Sequence, residues 1–120
     1  MKDGRQSVVV VAPGEVREAV REILEGAAFR VGEAPDLAAA ERLLPQIEPP
    51  AVLLVDEAHQ DTLAPFIAAL QRLRPLDAHL LPVVLMARVS LNLAGVREAV
   101  AKPLDPPLLV EVVQRLLEGL

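Results

Sequence analysis

The stretch "AVLLVD", residues 51–56, runs from apolar residues straight into a carboxylate. Burying a carboxylate is costly unless it is paired or solvated, so an apolar strand that ends in an acid delivers that acid to a site at the sheet edge. Asp56 is therefore the first residue with a claim to chemistry. Its rivals are few. Cysteine is absent, which excludes disulfides, thiolate nucleophiles and Cys-based metal sites. The two histidines, His59 and His79, fall in separate expected loops without the spacing that aims a pair at one metal, and both read as solvated loop residues. Ser7 and Ser90 form no arrangement with them that suggests a nucleophilic triad. With no Trp or Tyr and only two Phe, neither base-stacking platforms nor aromatic cages can be built.

The composition narrows the partners further. The 12 Lys and Arg are scattered singly in a chain of net charge -5, which argues against a nucleic-acid footprint. No apolar stretch approaches the roughly 20 residues needed to span a bilayer, and "MKDGRQS" lacks the apolar run of a signal peptide, so a cytoplasmic protein is expected. At 120 residues and 52% apolar content, the chain is expected to fold as one domain over residues 1–120.

Several elements must position Asp56. "SVVVVA", residues 7–12, is a continuous β-branched run of the kind that lies in a parallel sheet covered on both faces. After Pro13 and Gly14, Val16, Ala19, Val20, Ile23, Leu24 and Ala27 recur at helical spacing. "FRVGE", residues 29–33, is a short second strand, and Asp36 caps a helix over "LAAAERLL" that Pro45, Pro49 and Pro50 bring to an end. The third strand, Ala51 to Asp56, leads to a helix over about Leu63 to Leu73, stopped by Pro75. "PVVLMA", residues 82–87, is the fourth strand. A fifth lies around Glu98 to Ala101, and a last helix starts at about Pro106 with Asp105 as its cap. Alternating strands and helices with short links imply an α/β fold, a flavodoxin-like doubly wound parallel sheet of five strands in the order 2-1-3-4-5. In that order the carboxyl ends of strands 1 and 3 flank the switch point where such folds place their sites, and Asp56 ends strand 3.

Over essentially its whole length the chain resembles a response-regulator receiver domain, the phosphoacceptor module of two-component signalling. The likeness rests on "AVLLVD" as the third strand, "LPVVLMA" as the fourth, and "AGVREAVAKPLDPPLLVEVVQRLL" as the fifth strand, Lys-Pro pair and final helix. It implies that Asp56 stands at the phosphoacceptor position and Lys102 at the lysine that binds the transferred phosphoryl oxygens. The same likeness calls for two acids at the end of strand 1 to hold Mg²⁺, a hydroxyl after strand 4, and an aromatic residue three positions before the lysine. Those positions carry Val11 and Ala12 (or Ala12 and Pro13 in a shifted register), Met86 and Ala99. None of these side chains supplies an oxygen. Glu15, Glu57 and Asp61 are the acids nearest in sequence that could rebuild a metal site, but a single flexible acid is a poor substitute for a rigid pair.

Only Arg88 to Ala101 separates strand 4 from Lys102, too little for a full fourth helix as well as a strand, and "RVSLNLAG" alternates like an extended segment. The fourth helix is expected to be shortened or missing. The last helix carries apolar residues on more than one face, and Leu109, Val113, Leu116 and Leu117 are candidates for an interface. Together these features describe a degenerate receiver, or pseudo-receiver, that is not an enzyme, takes no cofactor or metal, and signals by protein contact. A protein partner or second copy is expected on the face made by the last helix and residues 88–101, with a histidine kinase or an output domain as the partner class. Asp56 and Lys102 would then form an ion pair, and Pro103 would fix the turn into the last helix. Two alternatives remain: a phosphoacceptor receiver modified on Asp56 by a histidine kinase, and a module for a small anionic ligand or nucleotide. Against the latter, "APGEV" after strand 1 offers one glycine and no phosphate-cradling loop.

Overall fold

A strand with no polar alternation is stable only in a sheet covered on both faces, and the valine-rich and leucine-rich runs of this chain are placed that way. The computed structural model describes residues 6–89 and 93–120. Strands β1 (Ser7–Val11), β2 (Arg30–Ala34), β3 (Ala51–Asp56), β4 (Val83–Ala87) and β5 (Val96–Ala101) form one parallel sheet in the order β2-β1-β3-β4-β5. Helices α1 (Gly14–Gly26) and α4 (Pro106–Glu118) cover one face, and α2 (Leu37–Leu43) and α3 (Leu63–Leu73) cover the other. The architecture is the flavodoxin-like one expected from the sequence.

Alternation along the strands divides the core in two. Val8, Val10, Val52, Leu54, Val84 and Met86 point toward Leu24 of α1 and Leu109 of α4. Val9, Val11, Leu53, Val55, Val83 and Leu85 point toward Leu37 of α2 and Phe66 of α3. All six residues of β3, the central strand, are buried, its last residue Asp56 included. Asp36 caps α2 as its residue type predicts, its Oδ1 accepting from the Ala39 N–H at 2.8 Å. Asp105 differs. It occupies the N-cap position of α4, but its side chain makes no capping bond, and Pro107 at the second helical position removes one of the donors that such a cap would satisfy.

The last helix requires a correction. Leu109, Val112, Val113, Leu116 and Leu117 recur at the spacing of a single stripe, and all five are buried against the sheet and α1. Leu109, Val113, Leu116 and Leu117 are therefore core residues, unavailable as an interface. The apolar excess outside the stripe amounts to the exposed Leu108 and Leu120 and the half-buried Val110.

Among the described residues no helix lies between Ala87 and Val96. Arg88 and Val89 bend away from β4, and Ala94 and Gly95 turn into β5. Half of the "RVSLNL" stretch read as extended, residues 90–92, lies outside the described residues. Gly95 has φ +86, and a Cβ there would stand 2.8 Å from Cγ2 of Ile67 on α3, so the chain enters β5 pressed directly onto that helix. β5 is an edge strand in which Val100 alone is buried.

Truncating Leu109 to alanine should leave a cavity beneath α4. Leu109→Ala is expected to cost about 2–5 kcal/mol in urea unfolding. Because the side chain is internal, the sedimentation coefficient of the native protein should not change.

Candidate functional site

The carboxyl ends of β1, β3 and β5 meet at an open cleft of about 1020 Å³, walled by Pro13 and Val16 on one side and by Arg88 and Val89 on the other. Asp56 lies at its floor and is only 2% exposed. A buried carboxylate needs partners for its oxygens, and both have one. Oδ1 accepts from Lys102 Nζ at 2.8 Å, and Oδ2 accepts from the Ala58 N–H at 2.9 Å, which starts the 3-10 turn Glu57–Thr62. Lys102 is brought to this position by the sheet. Its N–H donates to the Ala87 carbonyl at 3.0 Å, continuing the β4–β5 ladder by one step and leaving the ammonium beside the end of β3. The turn at Pro103, which lines the cleft mouth, follows directly.

Glu57 extends this pair into a chain of charges. Its Oε1 lies 3.7 Å from Lys102 Nζ and accepts from Arg88 Nε at 2.7 Å, while its Oε2 accepts from the Arg88 backbone N–H at 2.8 Å. The backbone bond from Arg88 is the main reason that the Glu57 carboxyl is held below its ordinary range. Partial burial opposes the shift, and the Arg88 guanidinium and the Lys102 ammonium add to it. The sequence pattern pointed to Glu57 only as a stand-in metal ligand and passed over Arg88. A signal was present: each is the charged residue next to the end of a strand, and β3 and β4 pair in parallel with Asp56 opposite Met86. Register thus brings the two ends together.

The remaining positions fall elsewhere. Val11 and Ala12 are fully buried, in opposite halves of the core, and the Ala12 carbonyl accepts from an Arg17 terminal nitrogen at 3.3 Å. Met86 is no part of the cleft wall: it is fully buried beneath α1 and α4, and the chain reaches the cleft only beyond β4, at Arg88 and Val89. Ala99 is exposed on the edge strand. Glu15 is exposed in the first turn of α1 and does not line the cleft, whereas Asp61 does. His59 departs from the expectation of a solvated loop residue. It sits half-buried in the turn after Asp56, with Nε2 enclosed and unpartnered, while His79 is exposed.

Mg²⁺ takes oxygen ligands in near-octahedral geometry at about 2.0–2.1 Å. The end of β1 presents Val11, Ala12 and Pro13, a guanidinium already faces the Ala12 carbonyl, and both oxygens of Asp56 are engaged. Among the described residues no group of three or more His, Cys, Asp or Glu stands close enough to hold a metal ion. The side chains present do not fit the ion. What they do fit is a self-neutralising cluster in which Asp56 and Glu57 are matched by Lys102 and Arg88. Removing one partner of a buried pair strands the other, so Lys102→Met is expected to cost about 2–3 kcal/mol in urea unfolding, the open cleft keeping the loss modest. Asp56→Asn combined with Lys102→Met should recover most of it.

No family model matches the chain, and no curated protein is found similar to it. Solved structures are. The chemotaxis response regulator CheY4 of Vibrio cholerae is 20% identical at a TM-score of 0.80, over 94% of this chain and 99% of that one. The signal receiver domain of a signal transduction histidine kinase from Syntrophus aciditrophicus is 21% identical at a TM-score of 0.73, over 96% and 92%. The receiver domain of the sensor histidine kinase PA1611 from Pseudomonas aeruginosa, which has a magnesium ion coordinated in its active site cleft, is 20% identical at a TM-score of 0.73, over 96% and 99%. No helix among the described residues is long and apolar enough to cross a membrane. The fold of this chain, with Asp56 at the carboxyl end of its central strand, is that of response-regulator receiver domains.

Proposed function

We propose that the chain is a pseudo-receiver: a signalling module of receiver fold that acts through protein contact, without Mg²⁺-dependent phosphorylation of Asp56 and without enzymatic activity of its own. One observation carries this reading. The end of β1 provides no side-chain oxygen, while both oxygens of the only buried acid among the described residues are already satisfied by Lys102 and the Ala58 N–H. A phosphoryl donor brings several negative charges into a cleft whose two basic side chains, Lys102 and Arg88, are already committed to Asp56 and Glu57, with Asp61 adding a third acid, so no cation is left over to take up the incoming charge. The partners we infer are proteins of two-component signalling, a histidine kinase or an output domain, because two of the similar structures are receiver domains of histidine kinases. With the leucines of α4 buried, the contact surface we favour is the bend at Arg88 and Val89 together with the exposed Ala99 and Ala101 of β5.

The phosphoacceptor alternative is favoured by a single feature, the 2.8 Å contact between Asp56 and Lys102 at the floor of an open cleft. Incubation with Mg²⁺ and acetyl phosphate or phosphoramidate, followed by intact mass, separates the two. The pseudo-receiver reading expects an unchanged mass. A gain of one phosphoryl group that disappears in Asp56→Asn would establish the alternative.

A further inference from the structure

Glu57 grips Arg88 at two points, through the backbone N–H at 2.8 Å and the side-chain Nε at 2.7 Å, and it is the more buried of the two partners. The Arg88 side chain is otherwise 78% exposed. A pairing that satisfies a backbone N–H as well as a guanidinium fixes the main chain, which an ordinary surface ion pair does not. The residue fixed is the first beyond β4, where the chain leaves the sheet toward β5. On its other side Glu57 lies 3.7 Å from Lys102, which holds Asp56 at 2.8 Å. One carboxylate therefore joins the ends of β3, β4 and β5. At the far end of the same link, Gly95 is pressed onto Ile67 so closely that no side chain would fit.

We propose that the Glu57–Arg88 clamp is a built-in latch that holds the start of the β4–β5 link in one arrangement, so that the surface around Arg88 and Val89 keeps one shape with or without Mg²⁺ and a phosphodonor at the cleft. This rests on the pseudo-receiver reading, in which no phosphoryl group at Asp56 drives a change, and it assigns to Glu57 the control of that surface. The latch works by occupying the Arg88 N–H and Nε with a fixed carboxylate. Releasing it requires only that the carboxylate be neutralised, because the backbone bond gains most of its strength from the charge.

Amide exchange measured by NMR on the full chain tests the latch in the wild type, Glu57→Gln and Arg88→Lys, each with and without Mg²⁺ and acetyl phosphate. The Arg88 amide is expected to be protected in the wild type, to exchange about tenfold faster in Glu57→Gln, and to stay protected in Arg88→Lys, which keeps the backbone bond. The wild-type signals of Arg88 and Val89 are expected to stay unmoved by the added reagents. An unprotected Arg88 amide in the wild type, equal exchange in Glu57→Gln, or signals that move on adding the reagents would overturn the proposal. Intact mass on the same samples reports separately whether Asp56 is phosphorylated. Exchange thus judges the latch and mass judges the pseudo-receiver reading.

Discussion

Asp56 ends a strand whose every residue is buried, and this carboxylate dictates what surrounds it. An unpaired charge at that depth would be strongly destabilising, so the fold must bring a cation or a metal to it. A metal needs more oxygen ligands than Asp56 can supply, and the neighbouring end of β1 supplies valine, alanine and proline. The remaining solution is internal: Lys102, carried in by one further step of the β4–β5 ladder, and the Ala58 N–H at the start of the next turn. Glu57 and Arg88 complete a cluster in which the charges match. In related folds a cation from solution can occupy the cleft, as in the Pseudomonas domain with its coordinated magnesium. Here two basic side chains of the chain itself stand against the acids.

The rest of the structure supports that cluster. The valine-rich β1 and the leucine-rich β3 lie at the centre of the sheet, where helices on both faces shield their backbone ladders. The stripe on α4 clamps one face over Leu54, Val84 and Met86, so the strand ends that carry Asp56 and Arg88 are anchored immediately below the cleft. On the other face, α3 receives Gly95 directly against Ile67, which lets a short link join β4 to β5. The edge strand is the least buried part of the sheet, with Ala99 and Ala101 open to solvent. A domain built this way is rigid where its charges lie and open beside them.

Most of the fold was legible in the sequence because its signals are local. An unbroken β-branched run specifies a buried parallel strand, Asp36 before a helical pattern specifies a cap, and prolines end α2 and α3. The strand order followed from the alternation of elements, and Asp56 and Lys102 lie together as the resemblance to receiver domains implied. The misreadings have equally local causes. Leu109, Val113, Leu116 and Leu117 share a stripe with Val112, but Leu108 and Val110 beside them made the helix look apolar all round. Met86 shows how a period of two punishes small offsets: at a strand end, one residue decides between core and cleft. The Glu57–Arg88 clamp depends on the parallel register of β3 and β4, so the charged residues at the two strand ends signal it only once that pairing is known.

A cleft neutralised by its own side chains has no place for a divalent cation. The direct measurement is thermal unfolding of the full chain across a titration of MgCl₂ into the millimolar range, with NaCl at matched ionic strength as the control. A ligand that binds only the native state raises the melting temperature with its concentration, by about 2.7 kcal/mol of added stability at a hundredfold excess over its dissociation constant. The account predicts that magnesium and the sodium control give the same melting temperature throughout. A saturable rise with magnesium alone, abolished by Asp56→Asn, would contradict it.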